Sequence, residues 1–256
     1  MPKLVKLLIK ALQQLQKQVV IHQEQWTQQQ NPEALHSLRI CLRQLRSLLR
    51  PLRSQLGEAL ALDGLVKNSM ELTNRIRDYE VLIIELKHQQ LFDIAHFYEQ
   101  QLQTATIHIG QQLGFEAIIE QLITLPLSWQ KSISVNTAQH LEHHISQHWQ
   151  KQSQKLFKLM QQENPDKHRL RILIKQLRYN SEMYKGILPK LATKQTLQLK
   201  TLQELLGTWH DYFVWLTYAQ QHTELYELIP LWQQQMQYWE QQSDQALKQL
   251  RLEHLV

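Results

Sequence analysis

The sequence predicts an all-α protein, from three observations: turn formers are scarce, uncharged helix formers are abundant, and apolar residues recur at three- and four-residue steps. The 256 residues include only 6 Gly and 7 Pro. A sandwich, a barrel or a nucleotide-binding α/β fold of this length uses more turns and Gly-rich loops. They include 41 Gln, a good helix former without charge. At 43% hydrophobic and 20% charged, the chain can bury a sizeable core and is not a disordered polyelectrolyte.

The first helix is expected over residues 2–29. The second starts at Asn31, a good N-cap, with Pro32 at the first helical position, and runs toward Gly57. Pro51 predicts a kink after Arg50. Segments 60–88 and 91–112 follow, then a short apolar piece from Phe115 to Ile123. Pro126 marks the expected boundary between residues 1–126 and 127–256. The second half repeats the order: 133–162, a helix from Asn164 and Pro165 to Gly186, then 190–221 and 224–252. The reading is eight helices, four per half.

No apolar run approaches the roughly 18–20 residues that span a bilayer. Met1 to Gln18 is periodic and Lys-bearing, unlike a secretory signal. One cysteine, Cys41, allows no internal disulfide and points to a reducing compartment. A cytoplasmic protein without a membrane span is expected.

The net charge of +5 is concentrated. Ala34 to Gly57 holds Arg39, Arg43, Arg46, Arg50 and Arg53 and no acid, and Lys167 to Ser181 holds Lys167, Arg169, Arg171, Lys175 and Arg178 and no acid. Those 39 residues carry +10, leaving −5 on the other 217. A mildly acidic body with two basic elements implies a localised anion site.

The two basic elements are related. His36, Arg39, Arg43 and Arg46 match His168, Arg171, Lys175 and Arg178 in spacing. About 42 residues after each His, Arg77-Asp78-Tyr79 with Val81 matches His210-Asp211-Tyr212 with Val214. The offset is 132 to 133 residues throughout, so duplication of one helical unit is the simplest account.

In the second helix Leu38, Leu42, Leu45, Leu49, Leu52 and Leu56 form one apolar stripe. The five Arg form a parallel stripe rotated by one residue, about 100°. Like charges at these steps cost about 0.2–0.5 kcal/mol per pair, and no acid on the helix relieves them. Arg presents a planar fork of donors suited to phosphate and stays charged near pH 7. The row therefore reads as an anion site, against the simpler reading of Arg paired with acids from neighbouring helices or merely solvated. His36 and His168 open the stripes and are phosphate contacts or capping residues. Asp78 and Asp211 hold the stripe's partners or make helix–helix contacts.

These paired motifs resemble the CHAD family, the conserved histidine α-helical domain, as does Lys175-Gln176-Leu177-Arg178-Tyr179 followed by Glu182. The similarity covers nearly the whole chain. The resemblance implies two four-helix bundles related by approximate two-fold symmetry, a basic central channel at the junction of the repeats, and binding of inorganic polyphosphate without catalysis or cofactor. It assigns anion contacts to His36, Arg39, Arg43, Arg46, His168, Arg171, Lys175 and Arg178. Helical phase adds Arg50 and Arg53, and the matched pair Arg77 and His210 completes the expected phosphate-binding set. It implies association with polyphosphate granules. Two departures stand out: Glu80 where Asp is common, and Trp209-His210 where His-Asn is more typical.

Two rival functions remain. A single-stranded RNA binder needs exposed aromatics for base stacking, and the two stripes hold none except Tyr179, so nucleic acid is not the expected partner. An enzyme acting on phosphate chains needs clustered carboxylates for metals, which the sequence lacks unless a partner supplies them. There is no P-loop and no dinucleotide fingerprint. His140, His144 and His148, with His143 beside them, share a helix face but carry no supporting metal motif. Cys41 is expected to be a core filler. Lys6, Lys10 and Lys17, and Lys151, Lys155 and Lys158, either widen the basic surface or are solvated.

Overall fold

The computed structural model is all-helical, as predicted, with ten α-helices, one 3-10 helix and no strand among the described residues. The structure describes residues 1–29, 32–110 and 114–253, with side chains at all of these except 28, 29, 32, 110, 190–197 and 251–253. The order is α1 (Lys3–Gln29), α2 (Pro32–Leu49), α3 (Gly57–Leu72), α4 (Asn74–His88), α5 (Phe92–Gly110), α6 (Phe115–Ser132), α7 (Val135–Met160), α8 (Lys167–Met183), α9 (Lys190–Ala219), the 3-10 helix (Thr223–Leu228) and α10 (Ile229–Glu253).

The helix count exceeds the expected eight for identifiable reasons. Pro51 ends α2 at Leu49 rather than kinking it, because proline has no N–H to give and its ring clashes one turn back. The chain continues in turns, with Leu52 and Arg53 both donating to the Leu49 carbonyl. Segment 60–88 breaks at Thr73. Its buried hydroxyl donates to the Ser69 carbonyl at 3.0 Å, a local bond that competes with the helical ladder. The piece expected over 115–123 runs on as α6 through Pro126 to Ser132. The helix expected from Asn164 starts at Lys167, where Asp166 Oδ1 accepts the Arg169 N–H at 3.0 Å. Asn31, the expected cap of α2, lies outside the described residues.

The chain divides into two compact units, Met1–His148 with Met183–Ile187, and Trp149–Glu182 with Leu188–Val256. In the first, α1 packs along α2 and α6, α2 on α3, α3 on α6, and α4 on α5. The α2 stripe lies in the core as expected: Leu38, Leu42, Leu45, Leu49 and Leu52 are fully buried. Leu4, Leu8, Leu12, Leu15 and Val19 of α1 are buried at helical spacing. Trp26 meets Phe115 edge-on at 6.3 Å and joins α1 to α6. Residues 183–187 are tied in by Tyr184, whose buried hydroxyl donates to the Leu48 carbonyl. Lys3 Nζ donates to the Gly186 carbonyl at 2.6 Å. Gly186 sits at φ +93°, a conformation a side chain disfavours.

In the second unit α9 and α10 pack along each other, joined by the 3-10 helix. Trp215 and Trp232 meet at 5.5 Å in its core, with Leu202, Leu206, Leu225 and Leu247 buried. Trp149 Nε1, midway along α7, donates to Ser181 Oγ of α8 at 3.1 Å. No helix among the described residues is long and apolar enough to cross a membrane.

Candidate anion-binding site

The Arg stripe of α2 separates into two groups. At its start stand His36, Arg39 and Arg43, with Arg77 of α4 close enough to act on His36 and Arg39 electrostatically. Burial lowers the His36 pKa, and the Arg77, Arg43 and Arg39 charges lower it further, with only Glu33 opposing. Burial, and then the local excess of positive charge, therefore disfavour the protonated form of His36. Arg43 contributes to that excess, and its Nε, like that of Arg39, is buried without a hydrogen-bond partner.

Arg39 is used differently. Its Nη1 donates to the Met70 carbonyl at 2.9 Å and to Thr73 Oγ1, and its Nη2 donates to Asn74 Oδ1 at 2.8 Å. The guanidinium satisfies the C-terminal carbonyl of α3 and opens α4. Burial and the Arg43 charge lower its pKa to about 10. Arg77 turns to Glu80, with Nη1 at 3.0 Å from Oε2. Glu80 is buried, and burial holds its carboxyl pKa above the usual range despite Arg77.

Farther along, Asp63 of α3 takes two of the row. Arg46 Nε lies 2.9 Å from Oδ1, and Arg53 Nη1 lies 3.1 Å from Oδ2. Arg50 lies beside this group, and burial, then Arg46, lower its pKa against the pull of Asp63. The acid missing from the Arg stripe itself is supplied by the next helix, so Arg46 and Arg53 are ion-paired. Asp63 is the residue that the sequence reading missed. Its signal is a lone buried acid on an apolar helix face, which only the packing of α3 on α2 discloses.

In the second unit His168, Arg171 and Lys175 of α8 meet His210 of α9. The His168 and His210 rings are 5.4 Å apart. Burial lowers the His210 pKa to about 3, aided by the Arg171, His168 and Lys175 charges. Arg178, next along the row, is committed elsewhere. Its Nε donates to Gln203 at 2.8 Å, its Nη1 to Glu182 at 2.6 Å, and it stacks 4.1 Å over the Tyr179 ring. Lys167 is buried between Glu240 at 2.9 Å and Asp244 at 3.2 Å. Burial alone would lower its pKa, but the two carboxylates more than offset this and raise it.

Each unit thus gathers a cluster from the same four motif positions. The first holds His36, Arg39, Arg43 and Arg77; the second holds His168, Arg171, Lys175 and His210. In both, a histidine is kept neutral by burial and neighbouring cations. A family model described as the CHAD domain matches residues 10–220. The chain belongs to the CHAD family. A crystal structure of the CHAD domain from the plant Ricinus communis resembles it in fold, with a TM-score of 0.69 and 23% identity over 97% of this chain and 90% of that one. No curated protein matches it.

Other candidates in this CHAD chain are placed as follows. His140 Nε2 is 3.3 Å from Gln55 Oε1, and His144 Nε2 is 3.1 Å from Ser54 Oγ. Among the described residues no group of three His, Cys, Asp or Glu is placed to hold a metal ion. Cys41 is buried and burial pushes its thiol up to about 11, away from reactivity. Beside His210, α9 also presents Trp209 and Phe213, one turn apart on one face and stacked at 5.8 Å. These two aromatics lie outside the basic stripes and were not singled out as site residues. Their i, i+4 spacing around His210 was the available signal.

Proposed function

We propose that this CHAD protein binds inorganic polyphosphate without catalysis, through the His36–Arg39–Arg43–Arg77 and His168–Arg171–Lys175–His210 clusters. The observation that carries this reading is the excess of positive charge held at both. Neutral histidines sit among cations, and Arg43 keeps a buried, unpartnered donor. Such a group gains most from a ligand that brings negative charge and acceptor oxygens together. Membership of a family associated with polyphosphate binding supports it.

Duplication of one helical unit is the proposed origin of the two clusters, and each is proposed to engage a polyphosphate chain. Arg43, Arg77, Arg171 and Lys175 are assigned the phosphate contacts, with His36, His168 and His210 lining the clusters beside them. Arg39, Arg46, Arg53 and Arg178 shape the field while holding helices in place. Glu80 is engaged by Arg77, and Asp63 by Arg46 and Arg53, which supports binding rather than hydrolysis. The proposed setting is cytoplasmic, at polyphosphate granules.

Calorimetric titration with polyphosphates of graded length, alongside single-stranded RNA and DNA, tests this. The expected order is long polyphosphate, then short polyphosphate, then nucleic acid of equal charge. Tighter binding of RNA than of long polyphosphate overturns the reading. Release of phosphate by the purified chain with Mg²⁺ or Mn²⁺ overturns the non-catalytic part.

A further inference from the structure

The two clusters differ in what lies next to them. At the second, His168, His210, Phe213 and Trp209 form a continuous group of rings. His168 and His210 are 5.4 Å apart, His210 and Phe213 are 6.2 Å apart and within 14° of parallel, and Trp209 and Phe213 are 5.8 Å apart and within 23° of parallel. Phe213 is 48% exposed, an open aromatic surface on α9 directly beside the charged groups. Arg171 and Lys175 of α8 act on the same His210 ring. At the first cluster the positions one repeat earlier are Ile76, fully buried, and Glu80, buried and paired with Arg77. Neither of those two positions presents an aromatic ring.

We propose that the second unit's cluster binds a nucleoside 5′-triphosphate, its base stacked on the Phe213–Trp209 surface and its phosphates on Arg171, Lys175 and His168. The inference rests on the anion-binding reading of that cluster and adds a base to the ligand. An exposed aromatic ring beside cations is what a phosphate chain ended by a base can use and a bare phosphate chain cannot. His210 is held neutral, so its ring extends the aromatic surface instead of adding charge. The surface is one pair of stacked rings on a single helix, which suits one base rather than a run of successive bases. The ligand class is therefore a mononucleotide.

The test compares ATP with inorganic tripolyphosphate, without divalent metal, by calorimetry on the full chain. Tripolyphosphate is the more highly charged of the two, so charge alone favours it. The wild-type chain is expected to bind ATP about fivefold more tightly or better, the effect of stacking one base. Phe213→Ala is expected to lose that preference while keeping tripolyphosphate affinity within about twofold, and Phe213→Tyr is expected to retain it. Phe213 is exposed, so neither substitution threatens the fold. Tripolyphosphate bound as tightly as ATP by the wild type, or both ligands weakened alike in Phe213→Ala, overturns the proposal. Failure here with long polyphosphate still bound leaves the polyphosphate reading standing; loss of both ligands and of long polyphosphate strikes that reading itself.

Discussion

Arg39 and Arg43 stand one turn apart on α2 and serve different ends. Arg39 is buried and holds Met70, Thr73 and Asn74, so Arg39→Met leaves those acceptors unsatisfied. It is expected to destabilise the protein by about 3 kcal/mol, as loss of charge-assisted bonds at a buried site does, read from the denaturant midpoint. Arg43→Met removes a half-buried charge with an unpartnered Nε. It is expected to change stability by less than about 0.5 kcal/mol while weakening polyphosphate binding. The reverse pattern would contradict the assignment of roles. The sequence made the Arg row legible through its three- and four-residue spacing, although α2 ends at Leu49 and leaves Arg50 and Arg53 in the turns beyond it. It did not separate Arg39 from Arg43, because the partners of Arg39 lie 31 to 35 residues away, at a helix break that local pattern does not signal.

His210 gives a second residue-level test. Its folded-state pKa is about 3, against an ordinary value near 6.5. Between those values the unfolded chain binds more protons at this site, so its contribution to stability is lost as pH falls from about 6.5 toward 3. The melting temperature is expected to fall between pH 7 and 5, and to fall less steeply in His210→Asn. Parallel slopes would mean that His210 titrates normally. For binding the sign reverses: a bound polyanion favours protonated His36, so affinity for long polyphosphate should rise as pH falls. Because Arg77, Arg43 and Arg39 lower the His36 pKa against Glu33, the rise continues below pH 6.5. The His36→Gln, His168→Gln double variant is expected to show a flatter profile at constant ionic strength.

At the scale of helices, α2 shows how an arginine row is tolerated. Its repulsion is relieved from outside by Asp63, buried on α3 and shared by Arg46 and Arg53. Asp63→Asn strands those two guanidiniums beside Arg50. The expected loss is about 3 kcal/mol, smaller at high salt and partly restored by polyphosphate, as thermal melts with and without ligand would show. A variant as stable as wild type at low salt would mean that the pair contributes nothing. Most helices were legible, since the apolar stripes have the right period, but α6 was expected only as a short apolar piece. Breaks were less legible. Pro51, expected to kink a helix, stops one, whereas Pro126, expected at the boundary between the halves, sits inside α6.

At the scale of the whole chain, the charge arithmetic and the repeat pick out both basic motifs, because like spacing on helices puts like residue types on like faces. The aromatic surface of Trp209 and Phe213 was less legible, since it comes from a different helix than the basic row it adjoins. The central claim is that the two clusters bind inorganic polyphosphate. It is tested most directly by the Arg43→Glu, Lys175→Glu double variant, titrated with long-chain polyphosphate across a range of salt. The wild type is expected to bind with log affinity falling steeply against log salt, as counterions are released. The variant is expected to keep its helical circular dichroism and lose binding. Unchanged affinity in a folded double variant, or wild-type binding indifferent to salt, would contradict the account.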